Sequence, residues 1–301
     1  MSIERAVVVG AGTMGHGIAQ VLAQAGIATT LIDVKQEYVD KGLAHVRANL
    51  EAGVAKGKVT AAARDAALAK LTGAVSRESF AGADLLVEAI PEQMALKREL
   101  FADADARMPK GALLASNTSS LSITEIASAT ARPGDVVGLH FFNPVHIMKL
   151  LEIVRGALTS DGSLGRAQEL AARLGKTAIV ANDAPGFATS RLGIALGLEA
   201  TRMVEEGVAS CADIDTAMKL GYGHPMGPLA LGDLVGLDVR LAIAKGLHAE
   251  LGDAFKPPRL LQRLVTMGHV GKKAGKGFYL YDEQGAVRGE NPAARPLLFS
   301  R

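Results

Sequence analysis

The sequence predicts an α/β protein, a doubly wound and mainly parallel sheet followed by an all-helical C-terminal domain, and three observations predict it. A glycine-rich turn, Gly10-Ala11-Gly12-Thr13-Met14-Gly15, joins the apolar run 7–9 to a helical pattern. Strand-like apolar runs then alternate with amphipathic helical runs as far as Val180. Past Asp183-Ala184-Pro185-Gly186 the strand-like runs give out and helical ones follow each other, so the expected domains are 1–183 and 184–301.

Composition permits two such domains: 301 residues, 49% of them hydrophobic, are ample for packed cores. A net charge of only +2 gives no global electrostatic case for nucleic acid, although a local basic patch could hold an acidic substrate. The single cysteine, Cys211, cannot form an internal disulfide and points to the reducing cytoplasm. No Cys/His cluster has metal-ligand spacing, so no metal is expected. The first strand begins almost at once behind Glu4 and Arg5, which leaves no room for a signal peptide. No apolar run reaches the roughly eighteen residues that would suggest a membrane span.

Val7-Val8-Val9 reads as a buried strand. In the turn after it, Gly10 permits a tight bend, Gly12 lets the backbone approach a pyrophosphate, and Gly15 lets the helix pack on the sheet, with its amides aimed at phosphates. Ile18, Val21, Leu22 and Ala25 carry the helical period, and Gly26 stops it. The next strand, 28–32, ends in Asp33, which lies roughly twenty residues beyond the glycines. An acid there suits the ribose hydroxyls of NAD and repels the extra phosphate of NADP, so the stretch reads as a Rossmann-type NAD site. The plainer reading is a tight turn with an incidental Asp.

Residues 35–58 form a long amphipathic helix (Val39, Leu43, Val46, Leu50, Val54) whose far end carries Lys56 and Lys58. Those charges suit the helix dipole, and they also offer a handle to an anionic substrate. A helix over 60–71 and a short strand over 74–76 follow, then a buried strand over 84–90 that stops at Pro91 and a helix over 93–108. The strand 112–116 leads into the polar turn Asn117-Thr118-Ser119-Ser120. Ligands of parallel sheets lie outside the carboxyl ends of the strands, which turns Glu92, Lys97, Asn117 and Ser119 toward the cofactor. Turn capping is the plainer role for Asn117 and Ser119. The strand 136–140 ends in His140, Phe141-Phe142-Asn143-Pro144-Val145 leave it as a loop, and 149–154 is the next strand. If these two pair as a hairpin about His146, then His140 and Glu152 come opposite each other, although spacing alone does not set that register. A helix over 161–174, capped by Gly175, and a strand over 177–180 close the sheet. In the second domain, the helix 187–206 is apolar over much of its circumference and must be buried in its own domain or against another chain. Helices over 211–220, 229–235, 237–251 and 258–266 follow, and the glycine-lysine loop 271–277 leads into a short strand.

The histidines sort by position. His45, His248 and His269 sit in amphipathic helices or at their ends, His16 lies in the glycine turn, His224 stands between Gly223 and Pro225, and His146 occupies a loop with no carboxylate at a persuasive spacing. That leaves His140, beside the cofactor crevice with Glu152 within reach. Oxidising an alcohol removes a hydride from carbon and a proton from oxygen, so a base must stand beside the nicotinamide. Histidine, with an unperturbed pKa of roughly 6.5, accepts and returns protons near neutrality. A carboxylate on its other ring nitrogen would hold the tautomer and stabilise the imidazolium. The alternative is an ordinary buried His–Glu hydrogen bond.

Several motifs carry a resemblance to a known family: Gly10-Ala11-Gly12-Thr13-Met14-Gly15, Val87-Glu88-Ala89-Ile90, Ser116-Asn117-Thr118-Ser119-Ser120-Leu121, Gly138-Leu139-His140-Phe141-Phe142-Asn143-Pro144, Met148-Lys149-Leu150-Leu151-Glu152, Asp183-Ala184-Pro185-Gly186-Phe187, Asp213-Ile214-Asp215-Thr216-Ala217-Met218, Pro225-Met226-Gly227-Pro228 and Gly271-Lys272-Lys273. In this order, over essentially the whole chain, they resemble the L-3-hydroxyacyl-CoA dehydrogenase family, and most of all its stand-alone bacterial members acting on 3-hydroxybutyryl-CoA. The resemblance implies that His140 is the general base for the 3-hydroxyl, that Glu152 orients it, and that Ser119 contacts the substrate oxygen. It implies NAD contacts from the glycine turn, Asp33, Glu92, Lys97, Ser119, Asn143 and Lys273, and coenzyme A contacts from Asn49 and Lys56. It also implies an acyl-CoA substrate and a homodimer through the helical domain. Fatty-acid breakdown, aromatic-acid breakdown and polymer or butyrate metabolism all remain open as pathways. One departure stands at Ser190, before Arg191, where the family commonly places a substrate-holding asparagine. Serine is shorter but both donates and accepts, so a water can extend its reach. The departure bears on substrate positioning and chain length rather than on hydride transfer.

Two rival readings are a dehydrogenase of a free hydroxyacid or sugar acid, and a non-catalytic structural relative such as a lens protein. Lys56 should matter only for a CoA ester, which discriminates the first. Intact His140, Glu152 and Ser119 argue against the second.

Overall fold

The computed structural model describes residues 2–295 and divides into two compact units, Met1–Phe187 and Ala188–Arg301. Unit 1 runs β1 (Arg5–Val9), α1 (Thr13–Gln24), β2 (Ala28–Ile32), α2 (Gln36–Ala55), α3 (Ala61–Ala69), β3 (Leu71–Ala74), β4 (Leu85–Glu88), α4 (Met94–Arg107), β5 (Leu113–Ser116), α5 (Ile123–Ala127), β6 (Val136–Phe141), β7 (Leu150–Arg155), α6 (Asp161–Arg173) and β8 (Thr177–Asn182). These strands form one sheet in the order β3-β2-β1-β4-β5-β6-β7-β8, parallel throughout except where β7 runs against β6. The order reverses between β1 and β4, the switch point at which such sheets open a crevice.

Side chains of a strand alternate between faces, and the two cores follow that alternation. On one face Val8, Leu85, Leu113 and Leu139 pack under Ile18 and Leu22 of α1 and Leu170 of α6. On the other, Val7, Leu86, Leu114 and Val136 pack under Leu100 and Phe101 of α4 and Ile126 of α5. Central strands covered on both faces must be apolar along their length, which is why their sequences read as continuous runs.

Three differences from the sequence reading have a visible structural cause. The strand expected over 74–76 is β3, Leu71–Ala74, because Leu71 to Ala74 take the parallel register on Thr29 to Ile32. Gly73 makes that fit possible, since a Cβ there would come within 2.4 Å of Val39 Cγ1. The strand expected to reach Ile90 stops at Glu88, whose Oε1 accepts from the Ile90 amide at 2.8 Å. Five-residue α5 was not expected, being too short to show a period. Its start is set by Ser122 Oγ, which accepts from Glu125 N, and by Asp183, which accepts from Ser122 Oγ, Ile123 N and Thr124 N. These bonds and the burial of Phe187 tie the turn 183–187 to unit 1 rather than to the second unit.

Unit 2 comprises α7 (Thr189–Glu205), α8 (Cys211–Gly221), α9 (Pro228–Val235), α10 (Leu237–Leu251), α11 (Arg259–Thr266) and a hairpin of β9 (Tyr279–Tyr281) and β10 (Val287–Glu290). The hairpin is an addition to an otherwise helical unit, whose core includes Leu198, Ile214, Leu241, Leu264 and Phe278. Buried Asp233 of α9 holds β9 in place by accepting from Phe278 N, Tyr279 N and Tyr281 Oη, each at 2.9 Å. No helix among the described residues is long and apolar enough to cross a membrane.

Candidate active site

The glycine turn has the shape its spacing suggests. Gly10 adopts φ +103°, and a Cβ on Gly15 would lie 1.6 Å from the Gly10 carbonyl oxygen, so neither position admits a side chain. Gly12 differs: an added Cβ meets nothing within 4 Å, and Gly12 caps α1 without a side-chain hydrogen bond. Open space beside uncapped helix amides is what a pyrophosphate requires. The Asp33 carboxylate, at the end of β2, accepts from Ala11 N and Val34 N, both at 2.7 Å, which fixes an acid beside the turn. The residues present therefore fit a dinucleotide. Gly12→Ala is expected to leave Tm unchanged, since φ at Gly12 is −68°, and to raise the Kd for NAD by about tenfold or more through intrusion on that space. Titration calorimetry beside a thermal melt checks both halves.

Farther along the sheet, β6 and β7 pair antiparallel with His140 directly opposite Glu152. His140 Nδ1 donates to Glu152 Oε2 at 2.8 Å, and the two residues are 7% and 0% exposed. A carboxylate only accepts, so the proton lies on Nδ1 and the lone pair of neutral imidazole is on Nε2. The ring is flanked by Phe142, with centroids 4.5 Å apart, and by Phe187 at 6.2 Å. Asn117 Oδ1 accepts from Phe141 N at 2.9 Å and so ties the turn after β5 to the end of β6. That hydrogen bond spans 24 residues, so it is a tie between strand ends rather than the local turn cap considered for Asn117.

The turn carrying Ser119 rests on Glu92, which accepts from Thr118 Oγ1, from Ser119 N at 3.2 Å and from Ser120 Oγ at 3.3 Å. Burial alone would raise the Glu92 pKa, but the Lys97 ammonium and the Thr118 and Ser119 donors outweigh it and hold the carboxyl below its ordinary value. Lys97 itself is buried, with its ammonium on Glu88 at 2.6 Å and Glu92 at 3.1 Å. Glu88 escaped the sequence reading, although a carboxylate inside the apolar run 85–90 was a signal, because a buried charge needs a partner. Phe142 and Phe187 carried no comparable signal.

Asn49 of α2 donates from Nδ2 to Gln20 Oε1 at 3.2 Å, Lys56 is exposed at the end of α2, and Asn143 is exposed in the loop after β6. His16, expected in the glycine turn, is in the first turns of α1 against His45, with ring centroids 5.1 Å apart. Burial lowers its pKa, and His45 and His146 lower it further against the hydrogen bond to Gly12 O. In unit 2, Ser190 lies in the first turn of α7, and Lys273 pairs with Asp238 at 2.7 Å.

Residues 5–184 match the model of the 3-hydroxyacyl-CoA dehydrogenase NAD-binding domain, and residues 186–281 match that of the same family's C-terminal domain. The chain belongs to the 3-hydroxyacyl-CoA dehydrogenase family. It is 45% identical to a probable 3-hydroxybutyryl-CoA dehydrogenase of Bacillus subtilis (strain 168), over 94% of this chain and 99% of that one. It is 43% identical to a 3-hydroxybutyryl-CoA dehydrogenase of Mycobacterium tuberculosis (strain ATCC 25618 / H37Rv), over 93% and 99%. Among solved structures, the (S)-3-hydroxybutyryl-CoA dehydrogenase of Ralstonia eutropha superposes with a TM-score of 0.90 at 40% identity, covering 94% of this chain and 100% of the other. As a 3-hydroxyacyl-CoA dehydrogenase the chain is an NAD-linked oxidoreductase, and the glycine turn with Asp33 belongs to its NAD-binding domain.

Proposed function

We propose that this protein interconverts an L-3-hydroxyacyl-CoA, of short chain such as 3-hydroxybutyryl-CoA, and the corresponding 3-oxoacyl-CoA. The single observation that carries the reading is the buried His140–Glu152 pair on a sheet that also presents a dinucleotide turn. NAD held by the glycine turn, Asp33, Glu92, Ser119, Asn143 and Lys273 supplies the hydride acceptor. His140 Nε2 takes the proton of the 3-hydroxyl, and Glu152 stabilises the imidazolium through Nδ1. The Ser119 hydroxyl donates to the same oxygen and holds the substrate in register. Lys97 acts on the cofactor through Glu92, since its ammonium is occupied by the two carboxylates. Asn49 and Lys56 contact coenzyme A, and Ser190 takes the substrate-holding place in α7.

The protein acts in the cytoplasm, where its lone buried Cys211 stays reduced. It works as a homodimer through unit 2, a reading supported by Leu192, Leu220 and Tyr222, which are 71%, 81% and 78% exposed there. A solution mass of one chain would overturn that assembly. For the reaction, purified protein should oxidise NADH with acetoacetyl-CoA and be nearly idle with free acetoacetate or a sugar acid. Faster turnover of a free acid would favour the rival reading.

A further inference from the structure

The network beneath the Ser119 turn holds more negative than positive charge. Glu88 accepts from Ile90 N at 2.8 Å and Lys97 Nζ at 2.6 Å on one oxygen, and from Ser116 Oγ at 2.5 Å on the other. Ser116 Oγ in turn accepts from Thr118 N at 3.2 Å. Each neighbour of Glu88 donates, so the shell fits the ionised, acceptor-only carboxylate. Lys97 shares its ammonium with Glu92 at 3.1 Å, and two carboxylates thus face one cation, a net charge of −1. Glu88 and Lys97 are 0% and 1% exposed, and burying an uncompensated charge is costly where apolar packing would serve.

The surplus charge sits at the carboxyl end of β4, and only β5 separates β4 from β6 with its His140. Two strand spacings are roughly 10 Å. Hydride exchange at the carbon whose oxygen His140 serves requires the nicotinamide in van der Waals contact with that carbon, and so about that close to the network. Oxidised nicotinamide carries a positive charge that the reduced form lacks. We propose that Glu88, by making the Glu88–Lys97–Glu92 network net negative, sets the preference of the site for NAD+ over NADH. The proposal rests on the reading of the chain as an NAD-linked dehydrogenase.

At roughly 10 Å and an effective dielectric of about 40, one charge changes the affinity ratio about fourfold. The experiment is to measure Kd for NAD+ and for NADH on wild type, Glu88→Gln, Glu92→Gln and the double variant Glu88→Gln/Lys97→Met, with a thermal melt of each. Both single variants remove one negative charge, and Kd(NAD+)/Kd(NADH) should rise about fourfold. The double variant removes one charge of each sign, and its ratio should return to that of wild type. A purely structural role would weaken both cofactors alike, so an unchanged ratio in the single variants overturns the proposal. A double variant shifted as far as Glu88→Gln overturns it too. Should Glu88→Gln fail to fold, Glu92→Gln, at the half-exposed carboxylate, and the double variant decide the question. Failure of wild type to bind either cofactor would instead overturn the dehydrogenase reading.

Discussion

Replacing His140 with Gln is expected to slow acetoacetyl-CoA reduction by about a thousandfold, the middle of the range that a positioned general acid–base supplies. Glutamine has similar length and can still donate to Glu152 Oε2, so the buried carboxylate keeps a partner and the fold survives. It cannot move a proton near neutrality. Cofactor affinity, which on the proposed reading rests on the glycine turn, Asp33 and the other NAD contacts rather than on His140, should stay within about twofold, less than 0.5 kcal/mol. Steady-state rates, a thermal melt and NADH titration on one preparation check the three parts. Turnover close to wild type would show that the proton goes elsewhere.

Glu152→Gln is expected to cost about a hundredfold to a thousandfold in kcat, for a different reason. The carboxylate obliges His140 to carry its neutral-state proton on Nδ1, which leaves Nε2 free to accept. An amide at residue 152 can turn its NH2 toward Nδ1, and the favoured tautomer then has the proton on Nε2, where it blocks the base. Loss of the negative charge also removes the stabilisation of the imidazolium. Substrate KM should change little, because the effect falls on the transition state. A variant with raised KM and unchanged kcat would make Glu152 a packing residue.

Much of this is legible in the sequence. The glycine turn and Asp33 follow from local spacing. The opposition of His140 and Glu152 follows from the hairpin, which brings the two strands into the register His140↔Glu152. A sequence reading allows that opposition without setting it, because the connection over 142–149 admits more than one register. What escaped the sequence depends on contacts distant along the chain. The position of β3 is set by β2, which lies 42 residues away at the Thr30–Thr72 pair. The burial of Lys97 is set by Glu88, a residue that an apolar run disguised as core. Read alone, Lys97 is one of the residues after a strand end that turn toward the cofactor. Its place between two carboxylates makes it instead the support of Glu92 and, through Glu92, of the Ser119 turn.

On the proposed reading His140 and Glu152 serve a hydride transfer at the 3-hydroxyl of an acyl-CoA. The most direct test is NADH formation from NAD+ with L-3-hydroxybutyryl-CoA and, in parallel, with the D enantiomer. A base held rigidly on one side of the crevice accepts the proton of only one hand. We expect NADH from the L form and almost none from the D form; NADH from neither, or equally from both, would contradict the account.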